Sequence, residues 1–80
     1  MQTGVFYVRV GPAVNLSEDR VERRGKSFFV GEVLTKGKPY PVLAVQYLMG
    51  PNGPKTLYHL PTDSNEIDWF PAELFVFARD

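Results

Sequence analysis

Cysteine is absent from this sequence, and its single histidine is His59. Without cysteine the chain can form no disulfide, no thiolate nucleophile and no cysteine-ligated zinc site. No apolar run approaches the roughly 18 residues that a membrane-spanning helix requires. Residues 1–4 lack the charged and apolar regions of a secretory signal. We therefore expect a cytoplasmic protein that uses no cofactor and does not associate with membranes.

The chain is also too short to hold a second core. Its 80 residues allow one domain, predicted to span residues 1–80. A domain of this size buries only about 60–65% of the surface that its unfolded chain exposes, so we expect modest stability. Six phenylalanines, four tyrosines and one tryptophan supply the bulk that a small core needs.

A net charge of zero conceals an uneven distribution of charge along the chain. Residues 1–40 carry seven basic and four acidic groups, a net of +3, whereas residues 41–80 carry two and five, a net of −3. Charged loops on small domains are usually just solvated, so pairing between the two halves is the simpler explanation of this asymmetry.

Alternation of apolar and polar residues predicts an all-β domain. The predicted strands cover residues 5–10, 28–35, 40–49, 55–61, 67–70 and 75–78. The clearest turn signal is Asn52-Gly53 between two prolines, because these residues tolerate the positive φ angles of a tight hairpin. Pro71–Leu74 predicts a single 3₁₀ turn before the last strand.

The segment at 15–25 fits two descriptions. Asn15 with Glu18 three residues later is typical of a helix start, and Gly25 would end such a helix. Only Leu16 and Val21 are strongly apolar in this piece. We therefore favour a charged loop over a weak helix.

Five or six short strands separated by frequent turns predict a small barrel, because closure removes the open sheet edges that promote aggregation. The predicted core contains Phe6, Val8, Phe29, Val33, Leu43, Val45, Ile67, Phe70 and Val76. Adjacent residues of a strand point to opposite faces, so Phe70 should point inward and Trp69 outward.

Two segments stand out, namely Gly37-Lys38-Pro39-Tyr40-Pro41-Val42-Leu43 and Asp68-Trp69-Phe70-Pro71-Ala72. They resemble segments of SH3-like β-barrels, above all the small free-standing ones of bacteria and phages. In peptide-binding SH3 domains, a Gly-aromatic-Phe/Ile-Pro-x-x-Tyr run carries the ligand-facing proline and tyrosine. Trp69, Phe70 and Pro71 match this run, whereas Asp68 replaces its glycine and Leu74 its tyrosine. The resemblance covers about residues 28–80 and implies a five- to six-stranded SH3-like barrel.

Catalytic and metal-binding chemistry is poorly supplied, and we expect neither an enzyme nor a metal site. His59, Asp63 and Ser64 are the residue types of a triad, but a triad needs side chains brought together from separate elements. Asp63, Asn65 and Asp68 lack the glycine and the bidentate glutamate of a calcium loop, so a hydrogen-bonded turn explains them better.

The surplus of aromatic residues favours a non-catalytic protein-binding module, since half-exposed Tyr and Trp are typical interface anchors. The predicted interface residues are Tyr7, Tyr40, Tyr58, Trp69, Pro71 and Phe75. Capping of the barrel ends is the alternative role for each of them. Size and the SH3-like resemblance suggest a phage-type accessory protein that docks on, and modulates, a larger host protein complex. The oligomeric state stays open.

A nucleic-acid-binding small barrel is the alternative function. Its binding residues would be Arg20, Arg23, Arg24 and Lys26, which lie next to Phe28 and Phe29. Small barrels bind nucleic acid through aromatic platforms with basic side chains around them. The zero net charge argues against this function, because a basic surface is its usual footprint.

Overall fold

The computed structural model describes residues 6–23 and 25–78, without the side chain of Arg23. This part of the chain forms eight strands and two 3₁₀ turns. The strands are β1 (Phe6–Val10), β2 (Arg20–Arg23), β3 (Lys26–Phe29), β4 (Tyr40–Val42), β5 (Ala44–Gly50), β6 (Gly53–Pro61), β7 (Ile67–Pro71) and β8 (Phe75–Phe77). The 3₁₀ turns are Val30–Glu32 and Ala72–Leu74. The predicted all-β class is confirmed, and so is the 3₁₀ turn before the last strand.

The strands form two three-stranded sheets and one hairpin, all antiparallel. The first sheet has the order β4–β1–β8, the second has the order β5–β6–β7, and β2 pairs with β3. Leu43 separates β4 from β5, so one run of chain leaves the first sheet and enters the second. Among the described residues these three sheets do not close into a barrel, so the predicted closure is not confirmed.

The core joins the two three-stranded sheets, the β2–β3 hairpin and the first 3₁₀ turn with the residues that follow it. Its buried residues are Val8, Val10, Val21, Val30, Val33, Leu34, Tyr40, Val42, Leu60, Phe70 and Phe75. The rings of Phe70 on β7 and Phe75 on β8 meet edge to face, with 6.3 Å between their centroids, and so join the two sheets. Of the predicted core residues, Val8, Val33 and Phe70 are confirmed as buried.

Residues 15–23 contain one turn followed by the first strand of a hairpin, and so they do not form a helix. Asn15 holds the turn, because its Oδ1 accepts the N–H of Ser17 at 3.0 Å and its backbone carbonyl accepts the N–H of Asp19 at 2.7 Å. Arg20 then begins β2, and the chain reverses at Gly25, whose φ is +80°. The sequence did not predict this hairpin, because Val21 is the only buried residue of β2 with a described side chain and charged residues flank it on both sides.

The predicted strand at 28–35 was too long, since β3 ends at Phe29. The carboxylate of Glu32 accepts the N–H of Phe29 at 2.9 Å, which folds the chain into the first 3₁₀ turn. That turn docks on the preceding loop: the N–H of Gly31 donates to the carbonyl of Leu16 at 2.9 Å. A Cβ at Gly31 would lie 2.8 Å from the same oxygen, so the close approach requires glycine.

Four predicted core residues are exposed instead, namely Leu43, Val45, Ile67 and Val76, with between 40% and 48% of their surface accessible. Ile67 lies three positions before the buried Phe70, and Val76 lies one position after the buried Phe75. Because side chains alternate between the two faces of a strand, Ile67 and Val76 both point outward. Val45 faces the same side of its sheet as Leu60 and Phe70, but 40% of its surface stays accessible. The two remaining predicted core residues, Phe6 and Phe29, are half-buried.

The hairpin turn between β5 and β6 lies where the sequence predicted it. Pro51 and Asn52 form the turn between β5 and β6, and Gly53 follows with a φ of +106°. Gly37 has a φ of +85° in the turn before β4. No helix in the described part of the chain is long and apolar enough to cross a membrane.

Candidate protein-binding surface

The outer side of the second sheet carries an apolar surface that we call the Trp69 face. Cross-strand register puts Trp69 directly opposite His59, and Pro71 directly opposite Leu57. Residues of one face recur at every second position of a strand. The residues that define the face are Leu48, Leu57, His59, Ile67, Trp69 and Pro71, and the exposed polar residues Gln46 and Lys55 lie on the same side of the sheet.

Trp69 is held in place by its neighbour on β6. The indole and the His59 imidazole stack with 4.3 Å between centroids and 10° between planes. Phe70 is 1% exposed on the opposite side of the sheet, whereas Trp69 remains 38% exposed. An aromatic side chain that is already oriented loses little further freedom on binding, which favours affinity.

The rest of the Trp69 face is open to solvent and mainly apolar. Ile67 is 46% exposed and Leu48 is 43% exposed, while Leu57, His59 and Pro71 are half-buried. Contiguous exposed apolar side chains on a small protein mark interaction sites more often than single ones do. The face can therefore provide apolar contact area around one aromatic anchor.

The predicted interface residues do not lie on one surface. Trp69 and Pro71 share the Trp69 face, whereas Tyr7 is 50% exposed on the outer side of the first sheet, opposite Pro41. Tyr58 points to the inner side, where its ring meets Phe6 at 5.5 Å.

Two predicted interface residues belong to the core, which corrects their assignment. Tyr40 is 2% exposed and Phe75 is 9% exposed, so neither offers area to a partner. Phase explains the error at Phe75: it is Phe75 that points inward, and Val76, predicted to be buried, that points outward.

Tyr40 is fixed by a hydrogen-bonded cluster centred on Asp63. The Asp63 carboxylate accepts hydrogen bonds from the Tyr40 hydroxyl at 2.9 Å, from Lys38 Nζ at 2.8 Å and from the Thr35 hydroxyl. The N–H of Thr35 donates in turn to the Tyr40 hydroxyl at 2.6 Å. The cluster ties the loop before β4 to the loop before β7.

These contacts shift the pKa values of the cluster. Partial burial acts to raise the pKa of Asp63, but the hydrogen bonds from Lys38, Thr35 and Tyr40 outweigh it and leave the pKa lowered. Burial raises the pKa of the Tyr40 hydroxyl. The hydrogen bond to Asp63 raises the pKa of the Lys38 ammonium group. At neutral pH the cluster therefore holds one carboxylate and one ammonium group.

The basic residues proposed for nucleic acid are only partly available. Arg20 Nε donates to the Ser27 hydroxyl at 2.8 Å, and its guanidinium lies 4.2 Å from the centroid of the Phe29 ring. Lys26 is exposed. Arg24 and the side chain of Arg23 lie outside the described residues. Arg20 is thus already bonded within its hairpin, and Phe29 is covered by it.

The residue types of a triad do not come together. His59 stacks on Trp69, Asp63 lies in its own cluster, and the Ser64 hydroxyl is 2.9 Å from that of Thr62. Across residues 6–23 and 25–78 no three His, Asp or Glu side chains are grouped so that they could hold a metal ion.

The sequence did not predict Leu48, Leu57, His59 and Ile67 as members of the Trp69 face. The signal for Ile67 was available: once Phe70 points inward, both Trp69 and Ile67 must point outward. His59 lies opposite Trp69 because of the register between β6 and β7. That register depends on the geometry of the whole hairpin, so the sequence alone did not reveal it.

Comparison of the chain with protein-family models, with curated protein sequences and with solved structures found no match.

Proposed function

We propose that this protein is a non-catalytic protein-binding module whose partner docks on the Trp69 face. The observation that carries the proposal is the stacked Trp69–His59 pair, which sits between the exposed Ile67 and the half-buried Pro71. Tryptophan is among the residues most enriched at the energetic centres of protein interfaces, and it is most effective when apolar neighbours exclude water around it.

The proposed architecture behind this function is a variant of the SH3-like barrel. Its support is the order of elements: a strand run that serves two sheets across Leu43, and a 3₁₀ turn at Ala72–Leu74 before the last strand. Within this proposal the protein acts as a small phage-type accessory factor that docks on a larger host complex and modulates it. Size and the resemblance of two sequence segments support that refinement.

Affinity purification from the native source tests the docking face. The baits are the wild type, Trp69→Ala and the control Tyr7→Ala, which removes an exposed tyrosine from the other three-stranded sheet. We expect one partner protein to bind the wild type and the control equally. Trp69→Ala should weaken that binding by about 2 kcal/mol, which is roughly 30-fold.

Two results would contradict the proposal. One is equal recovery of the same partner by Trp69→Ala and the wild type. The other is loss of all binding after nuclease treatment, which would favour the nucleic-acid alternative instead. In that case the affinity should fall steeply with salt, and Arg23→Ala with Arg24→Ala should reduce the slope of that dependence.

A further inference from the structure

The outer edge of β5 is the second unusual surface of this protein. β5 pairs along its whole length with β6, from Ala44 opposite His59 to Gly50 opposite Gly53. No strand in the described ranges pairs with its other edge. All seven residues of β5 are exposed, and Tyr47 and Met49 reach 77% and 83% exposure. A strand edge of this kind presents free backbone donors and acceptors to another strand.

Other sheet edges of this protein have protection that β5 lacks. β4 has three residues and contains Pro41, β8 has three residues, and β7 contains both Asp68 and Pro71. Natural proteins use short edges, prolines and charges to prevent one sheet from pairing with another. β5 is seven residues long and has neither a proline nor a charged side chain. This contrast favours β5 as an edge that pairs with another strand.

We propose that β5 pairs with β5 of a second copy of this chain, antiparallel and centred on Tyr47. A two-fold axis at Tyr47 places Val45 opposite Met49 of the second copy and Gln46 opposite Leu48. Apolar side chains thus meet apolar side chains on one face, and the two tyrosines lie side by side at the axis. Such self-complementarity is what an isologous dimer interface requires.

Charge does not oppose this pairing. The chain has a net charge of zero, so two copies do not repel each other. The charged residue of β6 nearest to the edge is Lys55, which is opposite Leu48. In the joined sheet, Leu48 is opposite Gln46 of the second copy, which is in turn opposite Leu57 of that copy. No like charges are therefore brought face to face.

The size of the interface sets the strength expected of the dimer. Two paired seven-residue edges with their large side chains would bury roughly 1,000 Å² in total, which lies at the lower limit for a specific interface. We therefore expect a dissociation constant on the order of 10 μM rather than a nanomolar one. A dimer of this strength assembles and dissociates reversibly with concentration.

Sedimentation equilibrium measures this association directly. The wild-type protein should pass from monomer to dimer between about 1 μM and about 500 μM. Tyr47→Lys and Tyr47→Glu should each raise the dissociation constant at least about tenfold, because each places two like charges opposite each other at the axis. The control Tyr7→Lys adds the same charge at an exposed tyrosine of β1 and should leave the dimer unchanged.

Mixing the two charge variants tests the register itself. An equimolar mixture of Y47K and Y47E should recover a mixed dimer, since opposite charges then meet at the axis. Circular dichroism of each variant should match that of the wild type, because the Tyr47 side chain is largely exposed. A mixture that stays monomeric although both variants are folded overturns the proposed pairing.

Two further outcomes would also overturn it. One is a wild-type protein that stays monomeric across the whole concentration range, as expected if the edge receives a strand of another protein. The other is a Y47K variant that dimerises as tightly as the wild type. Trp69→Ala should not change the dimer, because β6 lies between β5 and β7. Failure of the dimer and failure of the Trp69 docking face are therefore distinguishable.

Discussion

The inner face of the β5–β6–β7 sheet has two ends that differ completely in burial. At the base, Leu60 is 0% exposed and Phe70 is 1% exposed, whereas at the tip Tyr47 is 77% exposed and Met49 is 83% exposed. Cross-strand register puts all four side chains on the same face of one sheet. The strand pattern is the same at both ends, and the difference lies in what covers it.

The first sheet covers only the base. Its strand β4 has three residues, and the chain passes at Leu43 into β5, which then runs seven residues alongside β6. Ring contacts from Phe6 and Phe75 reach Tyr58, which is opposite Val45. Val45 is still 40% exposed. Alternation thus decides which face a side chain is on, and the length of the opposing sheet decides whether that side chain is buried.

This comparison separates stability from recognition. Removal of apolar area from water is the main favourable contribution to folding, and the base provides most of it. The tip and the Trp69 face retain apolar surface that the fold leaves exposed to water. That surface is therefore available to a partner or to a second copy.

The largest effect is expected at the base. Phe70→Ala should lower the free energy of unfolding by about 3–5 kcal/mol, because it removes a fully buried ring and leaves a cavity. Its neighbour Trp69, on the outer side, provides the matched control, and Trp69→Ala should cost only about 1 kcal/mol. Urea denaturation of both variants measures the difference. A larger loss for Trp69→Ala would mean that the register of β7 is shifted by one residue.

The second largest loss of stability is expected at Gly31, and Gly50 provides the comparison. Gly31→Ala brings a Cβ to 2.8 Å from the Leu16 carbonyl oxygen and 3.0 Å from the Leu16 Cβ, so the loop must move. We expect a loss of about 2 kcal/mol, typical of overpacking at a tight contact. Gly50→Ala, at the tip, meets its nearest atom at 3.7 Å and should have almost no effect. Equal losses in thermal or urea unfolding would show that the contact at Gly31 is not tight.

Much of the segment from β7 to β8 could be predicted from the sequence, and residue phase explains why. Pro71 marks the end of β7 and the start of the 3₁₀ turn, and Phe70 with Trp69 fixes the two faces. Val45 was assigned to the correct face, but a period of two carries no information about the length of the opposing sheet. Burial at the tip therefore could not be predicted.

The remaining errors come from polar residues that the fold places in unusual positions. Asp68 is buried one position from Ile67, and a carboxylate is rarely assigned to a core from sequence alone. The Asp63–Tyr40 hydrogen bond joins residues far apart in the chain, so local sequence patterns could not reveal it. Tyr40 was therefore predicted as an exposed interface residue. The Trp69 face was predicted only at Trp69 and Pro71, since cross-strand register supplies the rest.

A smaller effect is expected from the Asp63 cluster, and it depends on pH. The pKa of Asp63 in the folded protein is lowered from the ordinary value of 3.8. A lowered folded-state pKa stabilises the protein above the unfolded-state value, and this stabilisation is lost as the pH falls through the folded-state pKa. Asp63→Asn should cost about 1 kcal/mol at neutral pH.

Urea denaturation of Asp63→Asn at pH 7 and below pH 4 checks the direction of this effect. The difference in stability from the wild type should be present at pH 7 and should shrink in acid. Glu73→Gln removes one exposed carboxylate from the second 3₁₀ turn and controls for the change in net charge. A difference between the wild type and Asp63→Asn that is the same at both pH values would contradict the assignment.

The smallest effect is expected at the tip. Met49→Ala removes a large apolar side chain from the same sheet face as Phe70, yet it should change the free energy of unfolding by less than about 0.5 kcal/mol. The reason is that Met49 is 83% exposed and loses almost no burial on truncation. Urea denaturation must be done well below the concentration at which two copies pair, because an interface between copies would add its own stabilisation. A loss that appears only at high protein concentration would place Met49 in the proposed dimer. A loss of 2 kcal/mol or more in the monomer would mean that the tip is covered in solution, and the contrast between base and tip would not hold.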